Sequence, residues 1–372
     1  MNQNQVLSLD SPSKPKPRNS NLELYRIVCM LLIVAHHFVV NSGLTSPEGP
    51  MLANSDSPNT FFLLLFGMWG KTGINCFLLI TGYYMCTSKI TAKKFLKLLL
   101  QIYLYNIIAY IILLLTGHEI VSLERLMQLI MPVWGFQTNF TSCFIAFYLT
   151  IPFLNILVKN MDKRQHSMLL MLLIGCYTIL GSIPRFHVVF NYITWFGVIY
   201  LISSYIRLYP LPIYEKKQIW VWSTLLCVLL AMGSVAVMQW LFPDKPAYYF
   251  VADSNKILAV AVSVTSFLWF KNLKIKNSKL INAIGGSTFG VLLIHANSDA
   301  MRTWLWKDTL DCVGHFSLPL PQLALYSVGG VIVVFLVCNI IDQLRVLIIE
   351  KPFFRWYEKR FSSNQPIKFI KK

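Results

Sequence analysis

The sequence predicts an all-α, polytopic integral membrane protein with about ten transmembrane helices and both termini in the cytoplasm. Hydrophobic residues make up 55% of the 372 residues and charged residues only 13%, with a mean hydropathy of +0.55. Soluble globular chains carry about 25% charged residues, so this composition indicates a membrane protein. The lysines and arginines cluster between apolar runs, which is the distribution expected of cytoplasmic loops.

The first predicted span, residues 21–41, carries three ionisable side chains in an otherwise apolar run: Arg26, His36 and His37. About 20 apolar residues cross a bilayer as a helix. Arg26 and His37 are eleven positions apart, which is about three turns and about 16 Å along a helix, so they share one face. Such groups usually face a bundle interior or a watery cavity. In the alternative interpretation, Arg26 snorkels to the inner surface and His37 is an interfacial polar residue.

Three regions of the chain are predicted. Residues 1–20, rich in Ser, Pro and Lys, form a disordered cytoplasmic arm, residues 21–355 the ten-span domain, and residues 356–372 a basic cytoplasmic tail. The first apolar run is long for the core of a signal peptide and lacks a small-residue cleavage site. It is therefore expected to remain in the mature protein.

The next spans are predicted at 60–86, 95–115 and 140–158. Trp69-Gly70-Lys71 breaks the span 60–86, the second of the chain, near its outer end. The outer segment 116–139 contains the short apolar run 126–134, which cannot cross a bilayer and is interpreted as interfacial or re-entrant.

The last six spans are predicted at 167–183, 192–206, 220–242, 256–270, 280–301 and 324–349. This topology places most of the 33 lysines and arginines on the cytoplasmic side. The formal charge of +17 then reflects membrane topology, and no nucleic-acid partner is expected. The partner of such a chain is the lipid bilayer, and its expected location is the plasma membrane.

The eight cysteines include no C-x-x-C pair and no even-numbered set in loops. This pattern favours neither a disulfide framework nor a zinc site. No metal and no permanently bound cofactor are predicted.

Five short motifs give the sequence a family resemblance. Arg26 and His37, preceded by Glu23, resemble the R-x10-H signature of membrane acyltransferase family 3. The family's G-V-x-x-F-F-x-x-S-G-Y, Y-L-x-x-P-x-x-N, S-x-x-x-G-x-Y-L-I-H and E-R/K-P-F segments resemble residues 73–83, 147–155, 287–295 and 350–353, with Thr81 in place of the usual Ser. The motifs follow the family's order along the whole chain.

The resemblance implies an enzyme that moves an acetyl or other short acyl group from cytoplasmic acyl-CoA to carbohydrate hydroxyls. Acetyl-CoA is the implied co-substrate. The implied acceptor is a capsule, an exopolysaccharide, a lipid-linked glycan or a wall polymer. The resemblance also implies catalytic roles for His37 and Arg26. It implies substrate-binding roles for Glu23 and for Tyr148, which lies in one of the motifs.

The chemistry of acyl transfer independently favours a histidine. Attack of a hydroxyl on a thioester requires removal of the hydroxyl proton, and a histidine with an ordinary pKa of about 6.5 suits that task near neutral pH. His37 is the predicted general base because the family's signature falls on it and because its helix face carries Arg26. His36 is turned about 100° away by helical spacing and is predicted chiefly to pack.

Two further residues are predicted to bind substrate. His295 lies in the ninth span, where a histidine is either functional or part of a structural interhelical hydrogen bond. Lys71 interrupts an apolar run and either lines an outer cavity or snorkels to headgroups.

The acyl-CoA phosphates would favour cations at the inner mouth, and Arg26, Lys94 and Lys97 are predicted to bind them. Lys94 and Lys97 stand where the family commonly shows R-x-x-R, and lysine cannot bind a phosphate in the bidentate manner of arginine. Ordinary anchoring of the cytoplasmic loop is the alternative for both lysines. Glu350 is expected to cap the last helix.

Most outer-loop charges, including Glu124 and Arg125, are expected to be solvated. Trp134 and Trp195 are expected in the interfacial aromatic belt, with stacking on a sugar as the alternative. Two other functions fit a polytopic chain. A polysaccharide exporter or flippase would often contain internal repeats, and none is seen here. A glycan polymerase would be expected to show a large outer loop, which is absent from the predicted topology.

Overall fold

The structure is a computed structural model in which residues 18–134, 139–186, 188–242 and 245–361 are described, and these residues form helices and no strand. Most of the predicted arm 1–20 and the end of the predicted tail 356–372 lie outside the described residues. The predicted boundary at residue 355 falls inside the last helix.

Among the described residues, the first half of the chain contains eight α-helices: α1 (Ser20–Val40), α2 (Pro50–Ala53), α3 (Pro58–Gly67), α4 (Gly70–Met85), α5 (Ala92–Leu115), α6 (Leu123–Ile130), α7 (Phe140–Asn160) and α8 (Lys163–Leu173). A π-helical segment, Ile174–Leu180, continues α8. The predicted break in the second span is confirmed, since α3 ends at Gly67 and α4 begins at Gly70.

The second half contains α9 (Tyr192–Leu208), α10 (Lys217–Leu241), α11 (Ile257–Lys271), α12 (Lys279–Gly286), α13 (Thr288–His295), α14 (Asp299–Arg302), α15 (Leu320–Arg345) and α16 (Lys351–Arg360). Two π-helical segments, Thr303–Thr309 and Val346–Glu350, follow α14 and α15. Short 3₁₀ turns occupy Pro212–Glu215 and Gly314–Ser317.

Six helical segments of the described chain are long and apolar enough to cross a membrane, which confirms an all-helical membrane fold. They are Ser20–Val40, Pro58–Met85, Ala92–Leu115, Phe140–Asn160, Lys217–Leu241 and Leu320–Arg360. The predicted sixth and eighth spans correspond to α9 and α11, which are apolar but have only 17 and 15 residues. The number ten and the side of the termini stay predictions.

The predicted ninth span is not one straight helix. It is divided at Ala296–Ser298, and the segments Lys279–His295 and Asp299–Ser317 meet at 98°. Polar side chains form hydrogen bonds with backbone groups at this break. Asn297 Nδ2 donates to the Leu293 carbonyl at 3.1 Å, and Ser298 Oγ accepts from the Met301 amide at 3.1 Å. Irregular backbone at membrane depth is tolerated where such partners are present and where it lines a cavity.

Helix α1 is the centre of the bundle, because it packs against α3, α4, α11, α12, α13 and α15. Met30, Val34 and Phe38 are completely buried. A helix that is apolar on most of its circumference needs neighbours on every side in order to bury that surface. This arrangement places the two histidines of α1 inside the protein.

Glycines of the α3–α4 segment allow α1 to approach it closely. A Cβ atom added at Gly70 would lie 2.2 Å from the Cγ of His36, and one at Gly73 would lie 2.8 Å from the Cγ1 of Ile33. Real Cβ atoms essentially never make contacts shorter than 3.0 Å. Small residues of this kind commonly mediate close packing between membrane helices.

We predict that Gly70→Ala lowers the thermal unfolding temperature of the purified protein in detergent. Its new methyl group would also lie 2.7 Å from the Cβ of His36, an atom that cannot move without the backbone of α1. Overpacking of this kind costs about 1–3 kcal/mol.

Gly233→Ala in α10 is the matched control, since its Cβ would meet no atom within 4 Å. This variant should keep or raise the unfolding temperature, because alanine is the better helix former by about 0.5–1 kcal/mol. Equal unfolding temperatures for the two variants would contradict the close approach at Gly70.

Candidate active site

A cavity of about 660 Å³ lies at the C-terminal end of α1. One face of α1 forms its floor through Met30, Ile33 and His37. The walls come from the start of α4, the middle of α5, the starts of α7 and α9, the break after α13 and the loop around α6. They include Lys71, Ile74, Asn106, Ser142, Tyr192 and Asn297. Its lining is thus a mixture of apolar, amide, hydroxyl and charged groups.

The face of α1 that carries Arg26 is the face on the cavity, as its helical spacing predicts. Met30, Ile33 and His37 follow Arg26 at intervals of three or four residues. Met30, one turn from Arg26, has no exposed surface, and Arg26 does not line the cavity. Arg26 itself pairs with Glu23 at 3.5 Å.

His37 and His295 form a hydrogen-bonded pair. His37 Nδ1 lies 2.9 Å from His295 Nε2, and His295 Nδ1 lies 2.6 Å from the carbonyl oxygen of Val291. His295 has no exposed surface, and His37 is partly exposed to the cavity. The fully buried indole of Trp306 packs edge-on against His295.

This pair fixes the tautomers of both neutral rings. The Val291 carbonyl can only accept, so His295 Nδ1 carries the proton and its Nε2 accepts. His37 Nδ1 must then donate, which leaves the lone pair on His37 Nε2. Among the described residues no hydrogen-bond partner of His37 Nε2 is recorded, and the ring lines the cavity. His37 is therefore set to take a proton from a molecule in the cavity.

His36 makes different contacts from those of His37. Its Nδ1 donates to the Gly67 carbonyl at 2.6 Å, and its ring packs on Gly70. His36 also reaches the cavity wall. These contacts agree with the packing role predicted for His36. Its hydrogen bond also satisfies one carbonyl at the break between α3 and α4.

A family model described as an acyltransferase domain matches residues 19–339. The chain belongs to the acyltransferase 3 family. The family resemblance of the sequence is thereby confirmed, although the segment 350–353 lies beyond the matched residues. Searches of curated proteins and of solved structures found no match.

Glu23 lies at the opposite end of α1 from the cavity of this acyltransferase. It is fourteen positions before His37, about 21 Å along the helix axis. Its carboxylate is buried, pairs with Arg18 at 3.4 Å as well as with Arg26, and packs on Gly285. The structure therefore does not bring Glu23 to the cavity.

The two lysines predicted to bind acyl-CoA have intramolecular partners. Lys97 Nζ lies 2.5 Å from a carboxylate oxygen of Glu350, and Lys94 Nζ donates to Ser88 Oγ and to the Lys89 carbonyl. Both lysines remain partly accessible. A phosphate would have to share these partners or displace them.

Glu350 belongs to a buried charge cluster and makes no side-chain cap on α16. Its second oxygen pairs with Arg345 at 2.8 Å, and Arg345 also pairs with Asp342 at 2.9 Å. Asp342 accepts further hydrogen bonds from Gln101 and Tyr105 of α5. This cluster joins α5 to the end of α15.

Two aromatic residues that the sequence analysis considered lie in the core. Tyr148 is buried and stacks on Phe95, away from the cavity lining. Trp195 is fully buried and donates its indole N–H to Asn75 Oδ1 at 2.9 Å. Trp195 therefore belongs neither to an aromatic belt nor to a sugar platform, and the proposed substrate contact of Tyr148 finds no support in its position.

The sequence analysis missed several polar residues of the cavity. Arg125 pairs with Glu119 at 3.1 Å, both side chains being largely buried, although Arg125 was expected to be solvated. Tyr192 accepts a hydrogen bond from Lys71 at 2.5 Å. The sequence signal for Tyr192 was its place at the outer start of a span, directly after Asn191, whose side chain caps α9.

Helix α6 covers the cavity with its polar face. Glu124, Arg125 and Gln128 line the cavity, while Leu123 and Ile130 on the other face are 77% and 67% exposed. An exposed apolar face of this kind fits the interfacial position predicted for α6. The helix has only eight residues and is too short to cross a bilayer. Trp134, which follows α6, also lines the cavity.

Proposed function

We propose that the protein transfers an acetyl or other short acyl group from cytoplasmic acyl-CoA to hydroxyls of a cell-surface or lipid-linked carbohydrate. The observation that carries this proposal is the position of His37, whose unprotonated Nε2 faces a cavity of about 660 Å³ in a member of an acyltransferase family. The co-substrate is acetyl-CoA or another acyl-CoA. The acceptor is a capsule, an exopolysaccharide, a lipid-linked glycan or a wall polymer.

The reaction is a direct transfer between two bound substrates. His37 Nε2 removes the proton of the acceptor hydroxyl while its oxygen attacks the thioester carbonyl carbon. The resulting tetrahedral oxyanion collapses, the carbon–sulfur bond breaks, and the leaving thiolate takes the proton from the His37 imidazolium. The products are the acylated sugar and free CoA. His295, which is buried behind His37, orients the base and holds its tautomer.

The lining of the cavity supports a carbohydrate acceptor. Asn106, Asn297 and Ser142 provide amide and hydroxyl groups for sugar hydroxyls, and Trp134 and Tyr192 provide aromatic faces. The donor would enter from the other end of α1, where Arg26 faces the same side of the helix. An acyl group carried on the flexible arm of CoA could then reach His37 past Met30 and Ile33.

Mass spectrometry of surface glycans from cells with and without the gene tests the proposed activity. An acyl-sized mass difference on an otherwise unchanged glycan supports acyl transfer. Loss of the whole polymer would support an exporter or flippase instead, and an unchanged glycan mass would contradict the proposed acceptor.

We expect His37→Ala to lower glycan acylation by about 10² to 10⁴-fold at an unchanged membrane abundance, which is the usual contribution of a general base. The variant keeps the fold because the ring is only partly buried. The measurement is the acylated fraction of the glycan, normalised to the amount of protein in the membrane.

His36→Ala is the neighbouring control. It removes an imidazole bonded to Gly67, so it should lower abundance while keeping activity per molecule. His295→Ala removes only the acceptor of the His37 proton and should lower the rate less than His37→Ala does. Near-normal acylation by His37→Ala at normal abundance would contradict its assignment as the base.

We expect Arg26→Lys to impair acylation severely if Arg26 orients a CoA phosphate, because lysine keeps the charge and loses the planar fork of donors. The apparent KM for acetyl-CoA, measured in membrane vesicles, should rise. A variant with wild-type kinetics would leave Arg26 as an anchor of α1 that pairs with Glu23.

We also propose that the chain crosses the plasma membrane ten times with both termini in the cytoplasm. Cysteines introduced at Lys216 and Lys274 should resist an impermeant thiol reagent in intact cells, while those at Asp253 and Asp311 should react. The positive-inside distribution predicts the first pair on the inner side and the second pair on the outer side. Labelling at Lys274 would overturn the ten-span topology.

A further inference from the structure

We propose that Lys71 and Tyr192 form the oxyanion site of the transfer reaction. This inference rests on the proposed function, since it concerns the charge that develops when a hydroxyl attacks the thioester carbonyl. Lys71 would supply a compensating positive charge, and the Tyr192 hydroxyl would supply a hydrogen-bond donor. The reasons lie in the partners of the two side chains.

Lys71 is the exception among the cations of the cavity. Arg125 is paired with Glu119, and Arg302 is paired with Asp299 at 2.7 Å. Lys71 has no carboxylate within ion-pair distance in the described part of the chain. Its Nζ instead contacts Tyr192, at 2.5 Å from the hydroxyl and 5.2 Å from the ring centroid.

A partly buried ammonium group without a carboxylate is unfavourable within a membrane helix. Such groups are rare and usually line a functional cavity. The Tyr192 hydroxyl compensates only part of the charge, through one hydrogen bond. An occupant that becomes negative during the reaction would complete the compensation.

The Tyr192 hydroxyl is oriented by Lys71. An ammonium group can only donate, so the phenolic oxygen accepts from Lys71 and its own proton points elsewhere. No acceptor for this proton is recorded among the described residues, and the side chain lines the cavity. The adjacent positive charge polarises the phenol, which strengthens the hydrogen bond that it can donate.

Lys71 and Tyr192 both lie at the start of a helix, α4 and α9 respectively. Lys71 follows Gly70, which lies against the His36 ring, and Tyr192 is the first residue of α9. The Asn191 side chain caps α9 by accepting from the Ile193 amide at 2.8 Å. Preorganised donors are effective because they need not reorient as charge develops.

The step follows from these positions. The acceptor oxygen forms a bond to the thioester carbon, its proton passes to His37 Nε2, and the carbonyl π electrons move to the carbonyl oxygen. That oxygen then accepts from the Tyr192 hydroxyl and lies beside the Lys71 ammonium. When the carbon–sulfur bond breaks, the negative charge leaves with the thiolate, which takes the proton from His37.

The test uses full-length protein in proteoliposomes, labelled acetyl-CoA, and glycan isolated from cells that lack the gene. Tyr192→Phe keeps the ring and removes the donor, and Lys71→Met keeps the aliphatic stem and removes the charge. Each should lower kcat by about 10² to 10³-fold, as loss of an oxyanion donor does elsewhere. The KM values for acetyl-CoA and for glycan should change much less. Lys71→Arg should recover part of the rate because it restores the charge.

Lys256 and Tyr249 provide a matched control. Lys256 Nζ lies 4.6 Å from the Tyr249 ring centroid, and neither residue lines the cavity. Lys256→Met and Tyr249→Phe should therefore keep wild-type kinetics at equal abundance.

The possible results distinguish this inference from the proposed function. Normal kcat with a raised glycan KM in Tyr192→Phe and Lys71→Met would make the pair an acceptor-binding contact and overturn the oxyanion site. Normal values of both constants, with His37→Ala inactive, would also overturn it while leaving the acyl transfer intact. A wild-type protein that transfers no acetyl group would instead refute the proposed function.

Discussion

The close approach of α1 to the α3–α4 segment is the constraint on which the rest of the structure depends. Gly70 and Gly73 leave no room for a side chain at the contact with His36 and Ile33. A larger residue at either position would push α1 away from α4. The cavity would then lose the alignment between the histidine of α1 and the lysine of α4, because each is fixed to its own helix.

Several buried charges of the described bundle are held in pairs. Arg345 is held between Asp342 and Glu350, and Glu23 is held between two arginines at the other end of α1 from the cavity. Such pairing reduces the desolvation penalty of a buried charge. The cavity contains Lys71, which has no carboxylate within ion-pair distance in the described chain, and His37 Nε2, for which the described residues provide no hydrogen-bond partner.

The break between α13 and α14 also positions residues of the site. It ends α13 at His295, whose Nδ1 donates to the Val291 carbonyl one turn earlier. It also turns Asn297 and Ser298 toward the cavity, where polar groups can meet a substrate. Helix α6 then separates the cavity from the surroundings by placing its polar residues inward and its apolar residues outward. Irregular backbone and an interfacial helix together form the polar half of the site.

The sequence by itself determined the helical membrane fold and the family. It also determined that Arg26 and His37 lie on one face of α1, because composition and helical period depend only on local order. It also indicated His295 and Lys71, since ionisable groups are conspicuous in apolar runs. Only the tertiary structure decided that His295 lies behind His37, that Tyr192 joins Lys71, and that Tyr148 is buried away from the cavity. These contacts connect residues more than a hundred positions apart. Their geometry depends on how the helices cross and break, and no local pattern in the chain specifies it.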